Sequence, residues 1–423
     1  MTPDALLPHQ AALQIDAAAT GWILTSTALV LLMTLPGLAL FYGGMVRRKN
    51  VIGAIAHSTG AFMAVTVLWF VVGYSLSFGT GPGAANAVVG GLDAAFLNGV
   101  RIDTAHSLAP ALPEFLWVAY QLTFAIITPA LIAGAFAERM KFSASLLFFA
   151  LWHLIVYAPI AHQVWGGGWM GGQGVLDFAG GAVVHVNAGV AGLVCALVLG
   201  PRHGYGRDNL APHNLAYTAI GAGLLLVGWM GFNAGSAWAA DGIAAVAALN
   251  TILAAAAAAL GWLAIEWIDH RRPTLLGMLS GLVGGLVGIT PAAGLVNPQG
   301  AMIIGLVSGV ACYFGAVRLK KWLKYDDSLD AFGVHGVGGI VGAVLTGVVA
   351  APALGGSGIN HDSIATQVWW QTASVLVTAA WSGVVSVVAF LLVDRLVGMR
   401  ATREVEQMGL DLSEHQEQAY EIV

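Results

Sequence analysis

The chain has 423 residues, of which 9% are charged and 58% are apolar, with a formal charge of −5. An ordinary soluble domain carries about 25% charged residues, so this chain cannot clothe a soluble core of its size and must face lipid. So weak a net charge does not suggest a nucleic acid or other polyanion as its partner.

Residues 1–20 lack a basic stretch followed by an apolar one and do not resemble a leader peptide. They are expected to form an extracytoplasmic N-terminal segment. The first long apolar run, Gly21 to Gly44, is predicted to be the first span. Beyond it, every Lys and Arg except Arg101 falls into one of six clusters: 47–49, 139–141, 202–207, 271–272, 318–324 and 395–403. The intervals run from roughly 45 to 90 residues and a span needs about 20, so each interval holds one outward and one returning helix. Basic loops face the cytoplasm. The prediction is therefore an all-α polytopic membrane protein with eleven transmembrane helices, N-terminus outside and C-terminus inside.

In chain order the spans are expected at 21–44, 51–78, 114–136, 144–161, 181–200, 215–237, 242–268, 275–290, 301–323, 333–351 and 367–394. Residues 79–113 make the long outer loop, and 21–396 form one membrane domain without a linker. Residues 397–423, rich in Glu and Gln, are expected as a cytoplasmic tail and the one soluble module. Cys195 and Cys312 lie within apolar runs and read as core residues, neither a disulfide nor a metal site.

The fifth and tenth spans open on the same pattern, V-H-x-x-x-G-x-x-G, at Val184–Gly192 and Val334–Gly342. By the topology above they run in opposite directions, as in an inverted five-plus-five repeat with one extra helix. A histidine within a span is expensive enough to suggest function. For His57 and His153, which have no counterpart, a satisfied core histidine is the expectation. For His185 and His335 a functional pair is. A metal pair is conceivable, but no cluster of further ligands stands at usual spacing. Counted along their spans, His185 lies near the outer end and His335 near the inner end. They meet only if the segments before them, 165–181 and 328–333, dip into the membrane, which is permitted where protein buries irregular backbone.

In the sixth span, Trp229, Phe232 and Ser236 follow the i, i+3, i+7 spacing of one helix face. Trp165 opens the Gly-rich stretch on the same outer side. Aromatic faces and a hydroxyl lone pair can receive a small cation. Equally, a Trp belongs in an interfacial belt and a Ser between packed helices.

The runs YQLTFA (120–125), AERMKFSA (137–144), HQVWGGG (162–168), DFAGGAVVHVNAG (177–189), GWMGFNAGSA (228–237) and DAFGVHGVGGIVG (330–342) closely resemble the ammonium transporter family, Amt/Mep/Rh, on its bacterial Amt branch. The resemblance covers nearly the whole chain, to Tyr420. It implies ammonium uptake across the bacterial inner membrane. Phe124, Trp165 and Ser236 would bind the ion, Phe124 and Phe232 would form a stacked gate, and His185 and His335 would be paired pore histidines relaying a proton. Asp177 would support the site structurally, Trp229 would line the pore, and Gln121 lies one turn from Phe124. The resemblance also implies a homotrimer with one pore per subunit and, in the tail motif EQMGLD (406–411) with His415 and Tyr420, a contact for a PII-type regulatory protein. Where family tails continue from the histidine with Gly-Glu, this one has Gln416-Glu417, which touches only the local turn.

No catalytic nucleophile, metal cluster or cofactor motif is present in the sequence, so an enzyme is not expected. An ammonium sensor with this pore would carry a larger appended domain as its output. An electroneutral gas channel of Rh type is disfavoured by Trp165 and Ser236.

Overall fold

A computed structural model describes residues 15–420, and among them the chain is helical throughout its apolar runs, with no strand. Helices are what a spanning segment must form, because lipid offers no partner for a free backbone group. In chain order they are α1 (Ala17–Met45), α2 (Arg48–Phe78), α3 (Glu114–Phe136), α4 (Phe142–Gly172), α5 (Gly181–Leu199) and α6 (Leu215–Ala234). Then come α7 (Gly242–His270), α8 (Leu275–Ile289), α9 (Pro298–Leu323), α10 (Phe332–Val349) and α11 (Ile364–Val397). Ten of these, among the described residues, are long and apolar enough to cross a bilayer. The shorter α8 has 15 residues, about 22 Å of helix at 1.5 Å per residue. The protein is a polytopic membrane protein.

Sequence punctuation sets the boundaries. Asp241, Thr274, Asn297 and Ser363 each stand just before a helix and accept a backbone N–H from its first turn, relieving donors that have no partner inside the helix. Several expected bounds shift. α1 begins at Ala17, because Asp16 caps it by accepting from the Ala19 N–H. The rest of the N-terminal segment, residues 1–14, lies outside the described residues. α4 reaches Gly172 through a break at Trp165–Gly168, and α6 ends at Ala234 instead of 237. α3 is the innermost helix, with Phe124 to Phe136 buried throughout, whereas α11 presents Leu376, Val384, Val388 and Leu391 outward.

At the basic end of the bundle the charges expected at loops are buried and paired. Arg202 grips Asp326 with two nitrogens, at 2.9 and 2.8 Å, and reaches Glu138 at 3.4 Å. Glu138 also accepts from Arg47 at 2.8 Å, and Arg139 lies 3.9 Å from Asp326. Burial opposes ionisation of Asp326, but the Arg202 guanidinium outweighs it and holds the carboxyl below its ordinary value. Its contribution to stability is complete above the unfolded value of about 3.9 and disappears as pH falls through the lower folded value. Asp326→Asn leaves buried guanidiniums uncompensated, which costs about 3–5 kcal/mol. A thermal melt of the detergent-solubilised protein should show a large drop at pH 7; an unchanged melt contradicts this reading of the network.

The tail is not a free-standing module. Its helix α12 (Arg403–Met408) and the turn after it pack onto the basic end. Asp411 accepts from the Gly53 N–H at 2.9 Å, the Leu410 N–H donates to Asn50 at 2.9 Å, and Tyr420 meets His213 at 3.0 Å. Glu406 is buried and accepts from Arg400 and from the His203 backbone. Its partners come from the start of α2 and from the loop that follows α5, which only the fold brings together.

Candidate functional site

His185 and His335 meet in the middle of the bundle. Their Nδ1 atoms stand 3.3 Å apart, one donating and the other accepting, with nearly parallel rings. Their helices begin only a few residues earlier, at Gly181 and Phe332, so the preceding segments do enter the bundle as the sequence required. Each start is held by a carboxylate eight residues before the histidine. Asp177 accepts the N–H groups of Gly180, Gly181, Ala182 and Val183 at 2.5–3.2 Å. Asp327 accepts those of Ala331 and Phe332 at 3.0 and 2.8 Å. These buried donors would otherwise be orphaned.

The recurrent glycine four residues after each histidine allows the helices to cross. A Cβ on Gly189 would lie 2.2 Å from the Gly336 nitrogen, and one on Gly339 would lie 3.0 Å from the Cβ of His185. Each glycine thus faces the other repeat's histidine turn, since i and i+4 share a helix face. Both histidine segments, Gly181–Val186 and Phe332–Gly336, are wide π turns, a form frequent at functional sites.

Above the pair, the rings of Phe124 and Phe232 stack with centroids 4.3 Å apart. Phe232 lies on a further π turn, Met230–Ala234, so the regular face drawn through Trp229, Phe232 and Ser236 is interrupted. Ser236 falls just beyond the helix and stays tied to it, its hydroxyl donating to the Phe232 carbonyl at 2.9 Å. Trp165 meets Phe124 edge to face at 5.8 Å and is fixed by an Nε1–H bond to the Asp177 carbonyl, 2.8 Å. Phe124, Trp165, Ser236, Gln121 and Asp177 line one cavity of about 340 Å³. Trp229 lies below, stacked on His185 at 5.4 Å.

Two residues that sequence reasoning missed complete this column. The Tyr120 hydroxyl bonds to the carbonyls of Gly231 and Phe232 and to Ser236 Oγ at 3.3 Å. Its spacing, four residues before Phe124 on the same helix, was the available signal. Thr290 accepts from Trp229 Nε1 at 2.9 Å; no motif marks it. The unpaired histidines stand apart: His57 bonds to Ser145 Oγ, whereas His153, buried beside Trp69 and Tyr157, has no hydrogen-bond partner for either nitrogen among the described residues and is not the satisfied core histidine expected. Both cysteines are free and buried.

The chain resembles known proteins across most of its length. A family model described as Ammonium Transporter Family matches residues 21–420. An ammonium transporter of Bacillus subtilis is 48% identical over 397 residues, covering 93% of this chain and 96% of that protein. Among solved structures, Mep2 of Candida albicans superposes with a TM-score of 0.84 at 36% identity, covering 92% of this chain and 88% of that one. A structure titled Sensor Amt Protein superposes at 0.86 with 28% identity, covering 94% and 98%.

Proposed function

The chain belongs to the ammonium transporter family, and we propose that it carries ammonium across the membrane by removing a proton at the outer cavity and relaying it through His185 and His335. The observation that carries this reading is the direct bond between the two imidazoles at the foot of an aromatic column. Potassium resembles ammonium in size and charge but has no proton to lose, so a pore that admits only the neutral molecule discriminates between them.

The cavity suits the first step. Ser236 spends its hydroxyl hydrogen on the Phe232 carbonyl, leaving oxygen lone pairs for an ammonium N–H. The ring of Trp165 and the edge of Phe124 add cation–π attraction. Asp177 lends its field to the cavity while its oxygens are committed to four backbone donors. Without a carboxylate as direct ligand the ion is held weakly enough to leave. The stacked phenyl rings then oppose a hydrated ion, since stripping a charge of water costs several kcal/mol. Ammonia crosses the apolar section, and the imidazoles pass the proton along their mutual bond.

The same reading makes the protein a homotrimer of the bacterial inner membrane with one pore per subunit. The docked tail would face the cytoplasm, where a PII-type protein would meet it.

If the outer cavity sets affinity, Trp165→Leu and Ser236→Ala should each raise the half-saturating ammonium concentration by about two- to thirtyfold, the equivalent of a contact worth about 0.5–2 kcal/mol. Uptake measured against ammonium concentration checks this. Unchanged concentration dependence in both variants removes the assignment.

A further inference from the structure

On the basic end of the bundle, the turn between α5 and α6 and the start of the tail enclose a cavity of about 460 Å³. Its walls carry Arg202, Arg207, Arg400 and Arg403 against one carboxylate, Glu406. Two of these guanidiniums are already committed. Arg202 is bound to Asp326 and Glu138. Arg400 is bound to Glu406 and to the carbonyls of Leu199 and Pro201, at 2.6 and 2.8 Å. Because Arg400 belongs to the tail and its carbonyl partners to the end of α5, these bonds hold the two walls in register.

The other two cations have no such role. Arg207, from the turn, and Arg403, from the tail, are exposed, and among the described residues neither comes within 4.0 Å of a carboxylate. The nearby acids in sequence, Asp208 and Glu404, do not line the cavity. His203 also faces it, with Nε2 3.4 Å from the Gln407 amide nitrogen. The frame is therefore built by ion pairs to buried carboxylates, and one free guanidinium from each wall is left beside it. A guanidinium fork matches phosphate oxygens in pairs.

We infer that this cavity binds a phosphate group, presented by an anionic phospholipid or by a soluble polyphosphate, which bridges Arg207 and Arg403 and pins the tail to the α5–α6 turn. The inference concerns the tail's attachment and is independent of the pore mechanism.

The test uses the full chain in detergent, titrated calorimetrically with inorganic triphosphate and, separately, with short-chain phosphatidylglycerol, both at physiological salt. Saturable binding of at least one probe is expected, and the double variant Arg207→Gln/Arg403→Gln should weaken it by about tenfold or more, since both charge-assisted forks on the phosphate are lost. Both side chains are exposed and unpaired, so the double variant should keep the wild-type unfolding temperature without probe. Binding of triphosphate alone assigns a soluble ligand; binding of the lipid alone assigns a headgroup. The inference is overturned if neither probe saturates, or if the double variant binds both as the wild type does.

Discussion

Asp177→Asn should abolish ammonium transport, because the Asp177 carboxylate is bound to four backbone N–H groups that an amide cannot all satisfy. Among the described residues its carboxylate alone caps the α5 start, each oxygen taking two N–H donors, Gly180 with Gly181 and Ala182 with Val183. An amide keeps one acceptor and turns an NH₂ group toward the other two donors. Orphaning a buried donor costs about 1–3 kcal/mol, so two of them penalise this helix start by about 2–6 kcal/mol. The start carries His185 one turn later, and the Asp177 carbonyl holds Trp165, so both ends of the path are displaced together. Asp177→Glu should fail as well, because the longer chain cannot place its oxygens over the same four donors. Uptake by proteoliposomes, normalised to the amount of inserted protein, should fall at least about a hundredfold in both variants, as about 2.8 kcal/mol of displacement implies. Wild-type uptake in Asp177→Asn contradicts this role.

The helices and the histidine pair were legible in the sequence for separable reasons. Lipid forces helices onto the apolar runs, and α3 and α8 fall within a residue of their expected bounds. The histidines were found by repetition, and the structure supplies the reason for the repeat: Gly189 and Gly339 are where the two helices touch. The same comparison held a further signal. Asp177 and Asp327 both stand eight residues before a histidine, and only Asp177 was singled out. Thr290 was beyond reach, since nothing local links the end of α8 to Trp229. The π turns were equally hidden, because they arise from packing at the crossing and not from helix propensity. The docking of the tail was hidden because Glu406 and Asp411 look like surface residues until the turn carrying His203 and the start of α2 carrying Gly53 are brought beneath them.

The second large effect concerns selectivity. His335→Asp places a carboxylate against His185 where the structure has an imidazole bonded through Nδ1. A fixed negative charge in an apolar path favours cations and the water they carry, so potassium should begin to pass. His185→Ala removes the partner ring and the stacking surface of Trp229, breaking the relay without adding charge. Ammonium current should then fall at least about tenfold, the equivalent of 1.4 kcal/mol, with potassium still excluded.

The most direct test compares ammonium and potassium currents from the same proteoliposomes carrying the wild type, His335→Asp or His185→Ala. The account predicts ammonium current alone for the wild type, both currents for His335→Asp, and a greatly reduced ammonium current for His185→Ala. Wild-type ammonium currents with potassium still excluded in both variants would contradict it, leaving the histidines as packing residues and the proton relay without a carrier.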